Sequence, residues 1–180
     1  MAELASWNPR QLSKTEIAIV EAFRTLAIER RYGAIRVIDI LDHAGVGKST
    51  SYEHFQGKDD VLLTALRPIL LALATAASGR AARSYVRPVI EHLWEKRSFV
   101  RLILDSSAAS ILQRRLTDAI AMHGGRQIDA KGAPLFAVGI AAAQLAMLRC
   151  WSAGHVAMTV DAMTDQLIAC SRLKNDGSPL

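Results

Sequence analysis

Apolar residues recur along this chain at helical spacing from near its start to near its end. Ser13-Lys14-Thr15-Glu16 has the form of a capping box: a hydroxyl at the N-cap and a carboxylate three residues on, each able to satisfy a free backbone N–H. Ile19, Ala22, Phe23 and Leu26 then share one face of a first helix. Arg31–Gly33 is expected to end it, because cations suit a helix C-terminus and Gly33 permits a turn. A short second helix is predicted over about 36–44, with Val37, Ile40, Leu41 and Ala44 inward and Asp39 in its first turn. Gly45-Val46-Gly47 reads as a tight turn, and a third short helix follows over about 48–55. Gln56-Gly57 breaks it, and Lys58-Asp59-Asp60 opens a fourth, with Val61, Leu62 and Leu66 on its apolar side. Two short helices joined by a few residues containing glycine form the helix-turn-helix pattern.

The rest of the chain is also helical in pattern. Pro68 predicts a kink or boundary, since proline lacks the N–H that a helix interior uses. Ser78-Gly79-Arg80 reads as a weak joint, and helices are expected over about 84–96, 98–107 and 109–123. Residues 123–132 are a glycine-containing loop. A long apolar helix is predicted from about 134 to 153, stopped by Gly154-His155, and a last one from Thr159 or Asp161 to near Leu173. The expected fold is all-α: a three-helix helix-turn-helix domain over 1–68, with a loose arm at 1–12, and a helical bundle over 69–180.

Composition changes this picture little. Of 180 residues, 51% are hydrophobic and 5 are proline, which favours helices around a sizeable core. Cys150 and Cys170 are too few for a disulfide framework, no Cys/His cluster suggests a metal, and both are expected to be small buried residues. No metal or cofactor is expected. The N-terminus shows no basic stretch followed by an apolar run. The apolar stretch Ala133–Leu148 holds Gln144, is closed by Arg149 and falls short of the ~20 residues of a membrane span, so it reads as a buried helix. A cytoplasmic protein without a membrane partner is the expectation. The net charge of +5 points weakly to nucleic acid, because residues 1–68 hold 9 Lys/Arg against 9 Asp/Glu while residues 69–180 hold 13 against 8. Placement of individual residues has to carry the argument.

That placement is specific at residues 32–58. Val37, Asp39, Ile40, Ala44, Gly45, Val46, Thr50, Tyr52, His54, Phe55 and Lys58 stand at the spacing Val-x-Asp-Ile, Ala-Gly-Val, Thr-x-Tyr-x-His-Phe, Lys. In this the chain resembles the TetR family of transcription regulators, strongly over its first third, with a fainter likeness at Trp151-Ser152-Ala153-Gly154. The resemblance implies a dimer that binds double-stranded operator DNA. Thr50, Tyr52, His54 and Lys58 would clamp the DNA backbone, and Lys48, Ser49 and Ser51 would face base edges in the major groove. Arg36 stands where a hydroxyl residue usually caps the second helix and would reach a phosphate instead. Gly47 and Gly57 replace the usual N-cap serines, a change worth a few tenths of a kcal/mol. The resemblance further implies repression, dimerisation through the helices at 134–153 and 159–173, and a small-molecule effector of unknown identity. Trp94, Trp151, Met147, Met158 and Met163 read first as core or dimer interface, with Trp94, Met147 and Trp151 the candidates for ligand contact. The arginines of residues 80–126 read as a solvated face.

Two rival readings remain at this point. Gly45-Val46-Gly47-Lys48-Ser49-Thr50 resembles the end of a phosphate-binding loop, with Val37–Leu41 and Val100–Asp105 as its strands. Asp42 occupies the place of that motif's first glycine, where a carboxylate would face the phosphates. The other rival is a helical adaptor with no DNA role. No enzymatic activity is expected.

Overall fold

The computed structural model describes residues 12–47, 54–78, 81–123 and 133–170. Among these residues there are eight α-helices and no strand: α1 (Lys14–Glu29), α2 (Val37–Ala44), α3 (Lys58–Ala77), α4 (Arg83–Glu95), α5 (Arg97–Leu104), α6 (Ala108–His123), α7 (Ala133–Ser152) and α8 (Val160–Ala169). The chain divides into two compact units, Met1–Arg30 with Ala34–Ala65, and Arg31–Gly33 with Leu66–Leu180. The division falls inside α3.

In the first unit the capping box is made. The Ser13 hydroxyl accepts from the Glu16 N–H at 3.2 Å, and the Glu16 carboxylate accepts from the Ser13 N–H at 2.7 Å. α1 turns Ile19, Ala22, Phe23 and Leu26 inward, and α2 adds Ile40 and Leu41. Phe55, Val61 and Leu62 are buried as well. Each large apolar side chain removed from water in this way is worth roughly 1.5–3 kcal/mol. Val37, Ala44 and Val46 lie half-buried at its margin.

Two local expectations are corrected here. α1 stops at Glu29, with Arg30 as its cap in extended conformation. Tyr32–Ala34 is a short 3-10 turn, and Gly33 has no positive φ, so the chain turns there without needing glycine's left-handed freedom. His54 and Phe55 are not helical, so the third helix does not extend to Phe55 as expected. Residues 48–53, the rest of the expected span, lie outside the described residues.

Pro68 neither breaks nor ends α3, which runs on through it. Proline removes one helical hydrogen bond. It faces outward, while Leu62 and Ala65 before it and Leu70, Ala72 and Leu73 after it are buried, and their packing holds the helix together.

In the second unit α4, α5, α6 and α8 each bury one stripe. α4 turns in Val86, Ile90 and Leu93, and α5 turns in Val100, Ile103 and Leu104. α7 packs along α6 and α5, and α4 packs along α8. Arg83 binds Asp161 at 2.6 Å and Asp165 at 2.8 Å, and Arg87 adds Asp161 at 3.0 Å, tying α4 to α8. α7 ends at Gly154 (φ 77°), where His155 N–H reaches the Cys150 carbonyl and Gly154 N–H the Trp151 carbonyl, both at 3.0 Å, the pattern of a Schellman motif. Thr159 caps α8 by accepting from the Ala162 N–H.

α7 spans 20 residues and, like α3, is long and apolar enough by length and composition to cross a membrane. Length therefore does not decide the matter, contrary to the sequence expectation. α7 buries Ala137, Ile140, Ala141, Gln144, Leu148 and Trp151 along one stripe, the habit of a core helix. Its other side leaves Leu135 78% and Val138 41% exposed. Cys150 is on that open side and Cys170 is half-buried, so neither is the buried residue expected. The helical period, which sets Leu148 and Trp151 inward, turns position 150 outward.

Candidate nucleic-acid interface

α2 begins at Arg36 and ends at Gly45, and both ends are built by side-chain and turn chemistry. At the start, the Asp39 carboxylate accepts from the Arg36 N–H at 3.2 Å. It also takes two bonds from the Arg36 guanidinium, at 3.3 and 2.9 Å, and Arg30 stands 3.6 Å away. The bond from the Arg36 side chain is the main reason the Asp39 carboxyl lies below its ordinary range and Arg36 above its own. Arg36, expected to meet a phosphate, is thus half of an exposed ion pair.

At the end of α2, Gly45 adopts φ 66° and ψ 30°. Its N–H reaches the Asp42 carbonyl at 3.3 Å, and the Val46 N–H reaches the Leu41 carbonyl at 3.0 Å. This is a Schellman turn, and a left-handed position of this kind favours glycine. It reverses the chain after Ala44 and sends it into residues 48–53.

Of the expected backbone-clamping residues, two are described. His54 sets Nδ1 3.8 Å from the Glu16 carboxylate, so α1's capping residue also faces the end of the motif. Lys58 donates from Nζ to the Ile35 carbonyl at 3.0 Å, joining the start of α3 to the segment before α2. An ammonium carries three donors, and the Ile35 carbonyl takes one of them. Gln56 N–H donates to Asp60 at 2.9 Å, so that carboxylate serves the α3 start. Lys48, Ser49, Thr50, Ser51 and Tyr52 lie outside the described residues. Neither Glu16 opposite His54 nor the Ile35 carbonyl under Lys58 was foreseen from sequence, since both link positions with no local pattern between them.

In the second unit the structure brings two of the three ligand-contact candidates together. Trp94 and Trp151 stack with ring centroids 4.6 Å apart at 26°, and Arg97 lies over Trp94 at 5.0 Å. Trp151 is buried and its Nε1–H donates to the Met158 carbonyl at 2.8 Å. Met147, half-buried, lies one turn before Trp151 on α7. Among the described arginines of residues 80–126, Arg83, Arg97, Arg101, Arg114 and Arg115 are exposed and Arg87 is half-buried.

The strands that a phosphate-binding loop would require are both absent. Val37–Leu41 belongs to α2, and Val100–Leu104 to α5. No group of three or more potential metal ligands occurs among the described residues.

Among the described residues, the N-terminal unit turns about a left-handed glycine, between a short helix and a sequence segment rich in hydroxyl and cationic residues, an arrangement that helix-turn-helix DNA-binding domains share. Residues 19–65 match the family described as bacterial regulatory proteins, tetR family. Over that segment the chain is similar to the N-terminal domain of that family. No curated protein matches the sequence. A TetR-family regulator from Streptomyces coelicolor A3 has a similar structure, with a TM-score of 0.62 and 21% identity over 92% of this chain and 98% of that one. The dihydroxyacetone kinase operon activator DhaS is similar with a TM-score of 0.53 and 18% identity, over 88% of this chain and 94% of that one. At these identities the likeness is one of fold, and it extends well past the matched N-terminal segment.

Proposed function

We propose that the protein is a dimeric, ligand-responsive transcription regulator of the cytoplasm that binds a palindromic operator and represses the genes beside it. The observation that carries this reading is the Schellman turn at Gly45, set within the matched segment 19–65. A turn of this kind suits the entry to a recognition helix, the role the sequence pattern gives to the residues after Gly47. On this reading Thr50, Tyr52, His54 and Lys58 hold the phosphate backbone, and Lys48, Ser49 and Ser51 read base edges. Arg36 adds a backbone contact if DNA draws it from Asp39.

Residues 1–68 act as the DNA-binding domain and 69–180 as the sensing and dimerising domain. The open apolar side of α7, with Leu135 and Val138, supports pairing with α7 and α8 of a second copy. Such a two-fold dimer sets two recognition helices about one DNA turn apart, ~34 Å. An effector held in the second unit would favour a conformer with different spacing and so weaken DNA binding. DhaS is named an activator. The same fold can thus serve either sign, and repression is read from a promoter–reporter assay.

Selection of bound duplexes from a random library tests the core of the reading. An inverted repeat with half-site centres about 10 base pairs apart is expected. Enrichment of a single asymmetric site, or of nothing, would contradict it.

A further inference from the structure

In the second unit, Gln144 and Thr164 are the buried polar side chains among the described residues. Thr164 is satisfied: its hydroxyl donates to the Val160 carbonyl at 2.8 Å. Gln144 is satisfied by half. Its Nε2 donates to the Leu73 carbonyl at 3.1 Å, while Oε1, fully shielded, accepts from no group among the described residues. The orientation of the amide is fixed by chemistry. A carbonyl only accepts, so turning the amide over would set two oxygens face to face. The backbone does not require this glutamine either. α3 is helical to Ala77, so the Leu73 carbonyl already has the helical partner four residues on. A methionine at position 144 would fill the same length and leave no orphan. Gln144 was legible in the sequence only as the polar interruption of an apolar run.

A buried acceptor that destabilises the fold and serves no backbone group has the character of a ligand contact. We infer that Gln144 Oε1 is the polar anchor of an interior small-molecule site, whose ligand is neutral, largely apolar and bears one O–H or N–H donor. The inference rests on the reading of the second unit as a sensing domain. The ligand's class follows from the surroundings. No charged side chain of this unit is buried among the described residues, so an ionic ligand would lose its hydration with nothing to balance it. On the same stripe of α7, Ile140, Ala141 and Leu148 are buried one turn away, and Trp151, stacked on Trp94, two turns away. They supply apolar surroundings, and the tryptophan pair supplies a fluorescence reporter.

The test is calorimetric titration of the full-length protein with 4-ethylphenol, ethylbenzene and 4-ethylbenzoate, followed in parallel by tryptophan fluorescence under selective excitation. The expected result is saturable binding of one phenol per chain, about 3- to 10-fold tighter than ethylbenzene, with the benzoate weakest. Gln144→Met should bind the phenol and ethylbenzene alike. No saturable phenol binding, no phenol preference in the wild type, or the same preference in a folded Gln144→Met would each overturn the inference. The wild-type comparison decides even if the variant fails to fold. Specific DNA binding is measured on the same wild-type sample. Retained DNA binding without discrimination between the probes overturns this inference alone, whereas loss of DNA binding overturns the reading beneath it.

Discussion

Asp39 gathers the Arg36 backbone N–H, the Arg36 guanidinium and, further off, Arg30 around one carboxylate. Its pKa is held below the unfolded value, so its stabilising effect is complete above about pH 4 and fades as pH falls through the lower folded value. Asp39→Asn should therefore melt at lower temperature than the wild type by a constant margin between pH 5 and 7. That margin should shrink below about pH 4, and thermal melts across pH check it. The two lysines of the motif should separate in DNA binding. Lys58→Ala should weaken binding to all duplexes alike and lower stability by about 1 kcal/mol, because it also loses the Ile35 carbonyl. Lys48→Ala should change base preference, which parallel titrations on a set of single-base operator variants would reveal. An unchanged profile removes Lys48 from the reading residues.

At the scale of elements, the two glycines flanking α2 make a controlled comparison. Neither would meet a neighbour within 4 Å if a Cβ were added, so the outcome depends on the backbone. Gly45→Ala should cost about 1–2 kcal/mol, because its φ of 66° is left-handed. Gly33→Ala should stay within about 0.5 kcal/mol, since its φ is not positive. Denaturant unfolding of the two variants gives both numbers. Most helix positions were legible because caps and stripes are local: Ser13 with Glu16, Thr159, and the inward face of α1. Pro68 does not end its helix, because the buried residues on either side of it outweigh the one lost bond that a propensity rule sees. The exposure of Cys150 was misread from its residue type, although the period of α7 fixes its side. The Lys58 and His54 partnerships were hidden because they join distant positions.

On the scale of the whole molecule, the reading depends on a second copy. A helix that leaves Leu135 78% exposed beside Val138 is a candidate for covering by a symmetry mate. Leu135→Glu combined with Val138→Glu should shift sedimentation from dimer to monomer and weaken operator binding at least 10-fold, while helicity is kept. A double variant that stays dimeric would place the interface elsewhere.

The central claim is sequence-specific DNA binding, and fluorescence anisotropy with labelled duplex from the protein's own upstream region tests it most directly. The titration is run with unrelated competitor DNA, across a salt series, and with ATP in parallel. The account predicts competitor-resistant binding at two protomers per site that weakens steeply with salt. Absence of DNA binding to any duplex, together with saturable binding of ATP, would contradict it.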